Sequence, residues 1–254
     1  MFAKRIPEST MHPILFEIGG FTVYTYGLFV AGGIAIAFLL GLRRSRRRGI
    51  PEQVIYNLIF LAILVGIIGA RLIHVTAGWS YYQRNFLEIF LLRQGGLAIQ
   101  GGLLFGLAGG VWYLRRRKII VRPALDNFFL YLPLGQAIGR IGCFLNGCCY
   151  GKASNLPWAV NFPFLTNRVH PTQIYYVLSD ATLFLILYIF SRTETKPGEL
   201  TAWYLILYGF IRSAVDSLRG DLLPGFLGLY TTQWYAVLFA VIGVITLIRC
   251  RQRL

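Results

Sequence analysis

Residues 53–76 read QVIYNLIFLAILVGIIGARLIHVT, an apolar run whose one formally charged residue is Arg71. A helix needs about 20 mainly apolar residues to cross about 30 Å of hydrocarbon, and this run is long enough. Segments of the same kind recur along the chain, and the sequence places their ends only to within several residues. The seven candidate spans cover about 20–42, 53–76, 95–114, 124–146, 172–191, 199–216 and 232–249.

The composition of the whole chain supports a membrane location. Of its 254 residues, 56% are hydrophobic and 14% are charged, and the mean hydropathy is +0.59. Soluble domains have about 45–50% apolar and about 25% charged residues, so a soluble globule and a disordered chain are both excluded. We predict an all-α polytopic membrane protein, with residues 1–254 forming a single integral membrane domain. The first 19 residues lack the pattern of a cleaved signal peptide and are expected to be retained.

The net charge of +15 could suggest a nucleic-acid-binding protein, but its distribution indicates membrane topology instead. Basic residues concentrate after every second span, as the positive-inside rule requires of cytoplasmic loops. We therefore predict an N-terminus outside the cytoplasm, a cytoplasmic C-terminus, loops near 77–94 and 147–171 on the same side as the N-terminus, and no nucleic-acid partner. The clusters are Arg43, Arg44 and Arg46–Arg48; Arg115–Lys118 and Arg122; Arg192 and Lys196; and Arg249, Arg251 and Arg253.

Several ionisable residues lie within or at the ends of the predicted spans: Arg71, His74, Arg140, Arg212 and Asp216. An arginine at bilayer depth costs at least about 2.5–3.5 kcal/mol, so it normally faces a partner or a wet cavity. The predicted topology places all of these residues in the outer half of the membrane. Because a guanidinium can donate two parallel hydrogen bonds to phosphate, the pattern predicts a cavity for a phospholipid headgroup. Snorkelling of single arginines, or an i,i+4 pair of Arg212 with Asp216, would explain the same residues without a ligand.

Seven short motifs follow one another along residues 20–245. The central one, at 139–151, reads GRIGCFLNGCCYG. The others are YTYG at 24–27, GAR at 69–71, GGLAIQGG at 95–102, HPTQIY at 170–175, YGFIR at 208–212 with Asp216 and LRGD at 218–221, and QW at 233–234. In this order, the motifs resemble those of the bacterial prolipoprotein diacylglyceryl transferases.

The resemblance implies an enzyme of the bacterial inner membrane, with its active site toward the periplasm. Members of this family transfer a diacylglyceryl group from phosphatidylglycerol to the lipobox cysteine of a prolipoprotein, which forms a thioether and releases glycerol phosphate. The expected partners are phosphatidylglycerol, the prolipoprotein signal peptide and the lipid bilayer. This chemistry requires no metal ion and no organic cofactor, so we expect none.

The transfer needs a thiolate, a glycerol carbon held in line with it, and cations that meet the charge on the departing phosphate. The motifs therefore imply two sets of site residues. The catalytic set is Arg140, Arg212, Tyr26 and Gln100, and the substrate-binding set is Arg140, Asn146, Gly142, Arg71, His170 and Arg219. A structural hydrogen bond at the start of the fifth span is the alternative explanation for His170, where Pro171 suits a first helical turn.

Four positions depart from the family pattern. Gln100 stands where the family has a histidine, Cys143 replaces an asparagine, and Cys148 and Tyr176 each replace a glutamate. Glutamine cannot take up a proton at neutral pH, so the identity of the base is left open. A phosphatidylglycerol-dependent transferase with a different acceptor is therefore a second hypothesis. A lipid-binding or transport protein is a third, although the chain has no evident internal repeat.

Three of the four cysteines, Cys143, Cys148 and Cys149, lie within seven positions. They could form a disulfide at an oxidising face, pack as small buried residues, or take part in the reaction. Zinc binding by Cys148, Cys149 and His170 is disfavoured by a spacing that matches no common zinc motif. The sequence leaves their redox state and the oligomeric state open.

Overall fold

A computed structural model describes residues 13–18, 21–91, 96, 98–222 and 225–252. Strands β1 (Ile14–Ile18) and β2 (Phe21–Tyr24) pair as an antiparallel hairpin. Short 3₁₀ turns lie at Phe86–Phe90 and Phe226–Gly228. The helices are α1 (Thr25–Arg47), α2 (Glu52–Ala77), α3 (Trp79–Tyr82), α4 (Ile99–Arg116), α5 (Val121–Asn146), α6 (Thr172–Phe190), α7 (Glu199–Asp216) and α8 (Thr231–Arg251).

The helices confirm the prediction of an all-α polytopic membrane protein. Each of the seven predicted segments corresponds to one helix of at least 18 residues in the described part of the chain. By length and composition, α1, α2, α5, α6 and α8 are long and apolar enough to cross a membrane. Helices α4 and α7 are not among these five; α4 ends in two arginines, and α7 includes Glu199, Arg212 and Asp216. Seven spans and their orientation therefore stay predictions.

Two segment boundaries differ from the sequence expectation. The first span was expected from about residue 20, but Phe21–Tyr24 form a strand whose β-branched and aromatic side chains favour extended backbone. The third was expected from about residue 95, and its helix begins at Ile99. Residues 92–95 lie outside the described part of the chain.

The chain divides into two compact units. The first comprises the described residues up to Gly41 and from Leu125 onward, and the second comprises those in Leu42–Ala124. In the second unit, a Cβ added at Gly66 of α2 would lie 3.1 Å from the carbonyl oxygen of Gly102 in α4. Glycines therefore allow α2 and α4 to pack closely in this unit.

The core of the first unit lies between α5, α6 and α7. Six buried side chains form it: Leu130, Tyr131, Leu183, Leu187, Leu200 and Tyr204. Because an apolar interior of this kind is closely packed, it fixes the three helices against one another. The polar groups at the two ends of these three helices are therefore held at defined positions.

One of these polar groups, Asp126 near the start of α5, caps the start of α7. Its carboxylate is buried and accepts hydrogen bonds from the backbone N–H groups of Gly198 at 2.6 Å and Thr201 at 2.9 Å. It also accepts one from the Thr201 hydroxyl at 2.7 Å. A carboxylate in this position satisfies donors that a helix N-terminus leaves unpaired and interacts favourably with the helix dipole.

We predict that Asp126→Ala lowers the free energy of unfolding by about 2–3 kcal/mol, because it leaves buried donors without an acceptor. Thermal unfolding of the purified protein in detergent would measure this loss. Glu194→Ala is the matched control, because Glu194 is an exposed acidic residue in the same connection between α6 and α7. Equal unfolding temperatures for the two variants would contradict the capping role.

Candidate functional site

A buried tyrosine–aspartate pair joins α6 to α7. Tyr176 and Asp216 are both 0% exposed, and the Tyr176 hydroxyl donates a hydrogen bond to Oδ1 of Asp216. Nε of Arg212 donates to Oδ2 of the same carboxylate at 2.9 Å, and Nη1 of Arg219 lies 3.5 Å from Oδ1. A buried charge is tolerated when it is paired and hydrogen-bonded in this way. Two guanidinium groups and one phenol therefore share a single carboxylate.

The ring of Tyr176 also brings together arginines from two different helices. The Cζ atom of Arg140 lies 4.1 Å from the ring centroid, and that of Arg212 lies 5.5 Å away. Both distances are within the range of cation–π attraction. The structure thus brings Arg140 of α5 and Arg212 of α7 to one aromatic ring, and their binding of a single anion stays a prediction.

The three arginines of the site differ in how their charge is balanced. Arg212 and Arg219 pair with Asp216, and the fork of Arg219 also donates to both carboxylate oxygens of Asp221, at 2.9 and 2.7 Å. Within the described residues, Arg140 forms no ion pair with a carboxylate, and its direct partner is the neutral ring of Tyr176. Asp180, one turn further along α6, acts on Arg140 only at longer range. Arg140 is therefore the cation best placed to meet an incoming anion.

Helix α5 ends in a turn that gathers three thiols. Gly147 has φ +73°, its N–H donates to the carbonyl of Phe144 at 3.1 Å, and the N–H of Cys148 donates to the carbonyl of Cys143 at 3.2 Å. These two bonds define a Schellman motif, in which the residue three places before the cap meets the second residue after it. Those two residues are Cys143 and Cys148, and Cys149 follows with φ +64°. The three Sγ atoms all lie within 4.8 Å of one another.

All three of these cysteines are free thiols, so the structure contains none of the disulfides considered from the sequence. The cluster comprises Cys143 with Cys148 and Cys149, and among the described residues His170 is not part of it. Hydrogen bonds from the Cys143 and Cys148 thiols lower the pKa of Cys149, and the charges of Arg219 and Arg140 lower it further. Cys149 is thus the most readily ionised thiol of the three.

The segment that carries these cysteines is held by the start of α6. The side-chain amide of Gln173 donates to the carbonyl of Cys148 at 2.7 Å, and the Thr172 hydroxyl donates to the carbonyl of Cys149 at 2.6 Å. Both side chains are completely buried. The HPTQ motif therefore fixes the end of the GRIGCFLNGCCYG motif.

The same segment also pairs with the chain that follows α7. The N–H of Lys152 donates to the carbonyl of Leu218 at 2.7 Å, and the N–H of Gly220 donates to the carbonyl of Tyr150 at 3.1 Å. A Cβ added at Gly151 would lie 2.7 Å from the carbonyl oxygen of His170, so glycine is required there. These bonds place Arg219, which lies between Leu218 and Gly220, beside the cysteine-bearing turn.

Other predicted site residues in the first unit lie around α5. A Cβ added at Gly142 would lie 2.8 Å from Cβ of Phe29 and 3.3 Å from Cα of Tyr26, so this glycine allows α1 to approach α5 closely. Tyr26 itself is 42% exposed. Asn146 is the last residue of α5. The Nδ1 atom of His170 lies 3.2 Å from the Tyr175 hydroxyl, which fits the structural explanation of this histidine.

Two predicted residues, Arg71 and Gln100, belong to the second unit. Arg71 is buried, and its guanidinium donates to the carbonyl of Ile89 at 2.7 Å, to that of Gly96 at 3.0 Å, and to that of Glu88. It therefore holds the backbone at Glu88, Ile89 and Gly96 in place, a role that the sequence analysis missed. The side chain of Gln100 lies outside the described part of the structure.

Comparisons with known proteins identify relatives over nearly the whole chain. The family model described as prolipoprotein diacylglyceryl transferase matches residues 13–249. A phosphatidylglycerol–prolipoprotein diacylglyceryl transferase of Finegoldia magna is 33% identical, over 96% of this chain and 98% of its own. Proteins of the same name from Clostridioides difficile and Clostridium tetani are each 36% identical, over 83% and 92% of this chain and 84% and 96% of their own. The family resemblance predicted from the motifs is thereby confirmed.

We predict a graded loss of stability when the buried pair is changed. Asp216→Asn removes the charge that Arg212 and Arg219 share and should lower the free energy of unfolding by about 3–5 kcal/mol. Tyr176→Phe removes one hydrogen bond to a charged group and should cost about 1.5–3 kcal/mol. Denaturant or thermal unfolding in detergent would measure both. The control is Tyr235→Phe at a 42% exposed position of α8, and an Asp216→Asn protein as stable as this control would refute the interpretation.

Proposed function

Because the chain belongs to the prolipoprotein diacylglyceryl transferase family, we propose that it transfers a diacylglyceryl group from phosphatidylglycerol to the lipobox cysteine of prolipoproteins. The products are a thioether-linked lipoprotein precursor and glycerol phosphate. One observation carries the proposal on the structural side, namely the convergence of the Arg140 and Arg212 guanidinium groups on the ring of Tyr176. This convergence supports recognition of one phosphate by groups from two helices.

In the proposed reaction, the acceptor thiolate attacks a glycerol carbon, and the bond from that carbon to the phosphate oxygen breaks. Glycerol phosphate leaves with the electron pair, so negative charge grows on its phosphate. Arg140 meets this charge, and Arg212, held in place by Asp216, assists it. Cations that need not reorganise during the reaction stabilise such a transition state effectively.

The remaining predicted residues complete the proposed site. Asn146, at the end of α5, orients the headgroup, and Gly142 allows Tyr26 of α1 to stand beside α5. His170 and Arg219 line the rim of the site on the side of the cysteine-bearing turn. Arg71 and Gln100 lie in the second unit, and their assignment to substrate binding and catalysis stays a prediction from the sequence motifs. One family model covers residues of both units, which supports a single transferase domain.

We also propose that the chain crosses the bacterial inner membrane seven times, with the N-terminus and the site on the periplasmic side. In the first unit, Arg192 follows the C-terminal end of α6, and Arg249 and Arg251 lie in the last turn of α8. The site lies at the N-terminal end of α6 and the C-terminal ends of α5 and α7. Basic residues mark the cytoplasmic ends of spans, which supports a site at the opposite face.

The proposed orientation predicts which positions a membrane-impermeant thiol reagent can reach. In intact spheroplasts, Asn155→Cys should be labelled above the level of the parent protein. Arg116→Cys should be labelled only after lysis, because it lies in a predicted cytoplasmic loop. Both positions are exposed in the structure, so burial does not separate them. The reverse labelling pattern would contradict the orientation.

We predict that Arg140→Ala lowers kcat/KM for transfer by about 10²–10³-fold, as expected for loss of one preorganised donor to a developing charge. The assay combines labelled phosphatidylglycerol with a lipobox peptide, and the mass of the peptide reports the added diacylglyceryl group. Arg84→Ala is the matched control, because Arg84 is an exposed arginine in the second unit. An Arg140→Ala protein that retains its fold and transfers at the native rate would disprove the assigned role.

The same assay separates the proposed function from the second hypothesis. Cysteines at positions 143 and 148, where the family motif has asparagine and glutamate, favour a transferase with a different acceptor. In that case, glycerol phosphate is released while the peptide keeps its mass. Recovery of intact lipid, with neither product formed, would indicate a lipid-binding protein instead.

A further inference from the structure

Cys143, Cys148 and Cys149 form a cluster of three thiols whose sulfur atoms lie close enough together to hold one metal ion. The Sγ atoms lie within 4.8 Å of one another. In a tetrahedral zinc site, sulfur atoms about 2.3 Å from the ion are about 3.8 Å apart. Side-chain rotations that move the thiols by less than about 1 Å would therefore bring them to ligand distance.

The backbone around the cluster is already fixed. The Schellman turn brings Cys143 and Cys148 together, and the buried side chains of Gln173 and Thr172 hold the carbonyls of Cys148 and Cys149. Because a metal site gains affinity when its ligands are ordered before binding, this arrangement favours an ion at the three sulfurs. Thiolate ligands select soft or borderline cations such as Zn²⁺.

Three protein ligands leave the fourth position of a tetrahedral ion open. Within the described residues, no histidine, carboxylate or further cysteine joins the three thiols as a fourth ligand. Closed four-ligand zinc sites are structural, whereas sites with three protein ligands keep a position for water or substrate. The charges of Arg219 and Arg140 act on Cys149 and would offset the negative charge of several thiolates around one ion.

We propose that Cys143, Cys148 and Cys149 bind a Zn²⁺-type cation whose fourth position receives the thiol of the acceptor peptide. This inference rests on the proposed function. A thiol that coordinates such an ion loses its proton, here to solvent, and the bound thiolate then forms the carbon–sulfur bond as glycerol phosphate leaves. No oxidant or reductant is consumed. The site would thus supply the thiolate in a chain whose Gln100 cannot accept a proton.

The test uses the reduced full-length protein in lipid nanodiscs with Co²⁺ as the probe, because Co²⁺ in thiolate sites gives a charge-transfer band in the near ultraviolet. We expect about one equivalent of Co²⁺ per chain, as a three-ligand site predicts. Cys148→Ser and Cys149→Ser should each abolish the band. The matched control is Cys250→Ser, because Cys250 is a buried cysteine of α8 that lies outside the cluster. A band that survives both cluster variants, or no band in the wild-type protein, would overturn the proposal.

A second measurement needs no variant and so does not depend on whether the serine proteins fold. Wild-type protein is alkylated with and without Zn²⁺, and mass spectrometry of its peptides locates the modified cysteines. We expect Zn²⁺ to protect Cys143, Cys148 and Cys149. Alkylation that is unchanged by Zn²⁺, or an internal disulfide in the protein as first isolated, counts against the metal site.

Addition of lipobox peptide without lipid tests the fourth position separately. The peptide should shift the Co²⁺ band, and a peptide with serine in place of the acceptor cysteine should not. If metal-free protein transfers lipid at the rate of the Zn²⁺-loaded protein, activation of the acceptor by the ion is wrong. If the protein binds Co²⁺ through these cysteines but never transfers lipid, the proposed function fails while the metal site stands.

Discussion

The geometry of the site depends on one carboxylate that has been removed from water. Asp216 is completely buried, and such a charge is stable only with partners. Its partners are the guanidinium groups of Arg212 and Arg219 and the hydroxyl of Tyr176. Arg212 and Asp216 lie at the end of α7, Arg219 lies in the segment that follows, and Tyr176 lies near the start of α6. A single acidic residue therefore holds these three parts of the chain together. Arg140 then joins the same group through the face of Tyr176.

This arrangement separates two uses of arginine. Arg212 and Arg219 form ion pairs with carboxylates that fix their positions, whereas Arg140 lies over an aromatic ring and forms no ion pair within the described residues. A cation over a ring gains some stabilisation without a counter-charge, so it keeps most of its capacity to bind an anion. The replacement of a motif glutamate by Tyr176 is consistent with this division, since a second carboxylate there would compete with a phosphate for Arg140.

Much of this structure could be predicted from the sequence, because hydrophobic length and charge position are strong signals. The seven segments matched helices, and the i,i+4 spacing correctly indicated the pair of Arg212 with Asp216. The ring of Tyr176 between two arginines could not be predicted, because it depends on how α5, α6 and α7 pack. Asp126 was missed because its partners lie 72 and 75 residues away. Arg71 was interpreted from its depth in a span, and only the structure shows that its donors bind backbone carbonyls.

The contact between Cys143 and Cys148 could have been predicted from the way α5 ends. Gly147 directly follows the last residue of α5, and a glycine there is the usual signal of a Schellman motif. That motif alone brings the side chains three before and two after the helix end together, and both are cysteines here. In most proteins this contact is apolar, so two thiols would pack there without further consequence. Here a third thiol joins the pair, because Cys149 follows in the left-handed conformation and its sulfur lies within 4.8 Å of the other two. A motif that ends a helix thus gathers three thiols near the charges of Arg219 and Arg140.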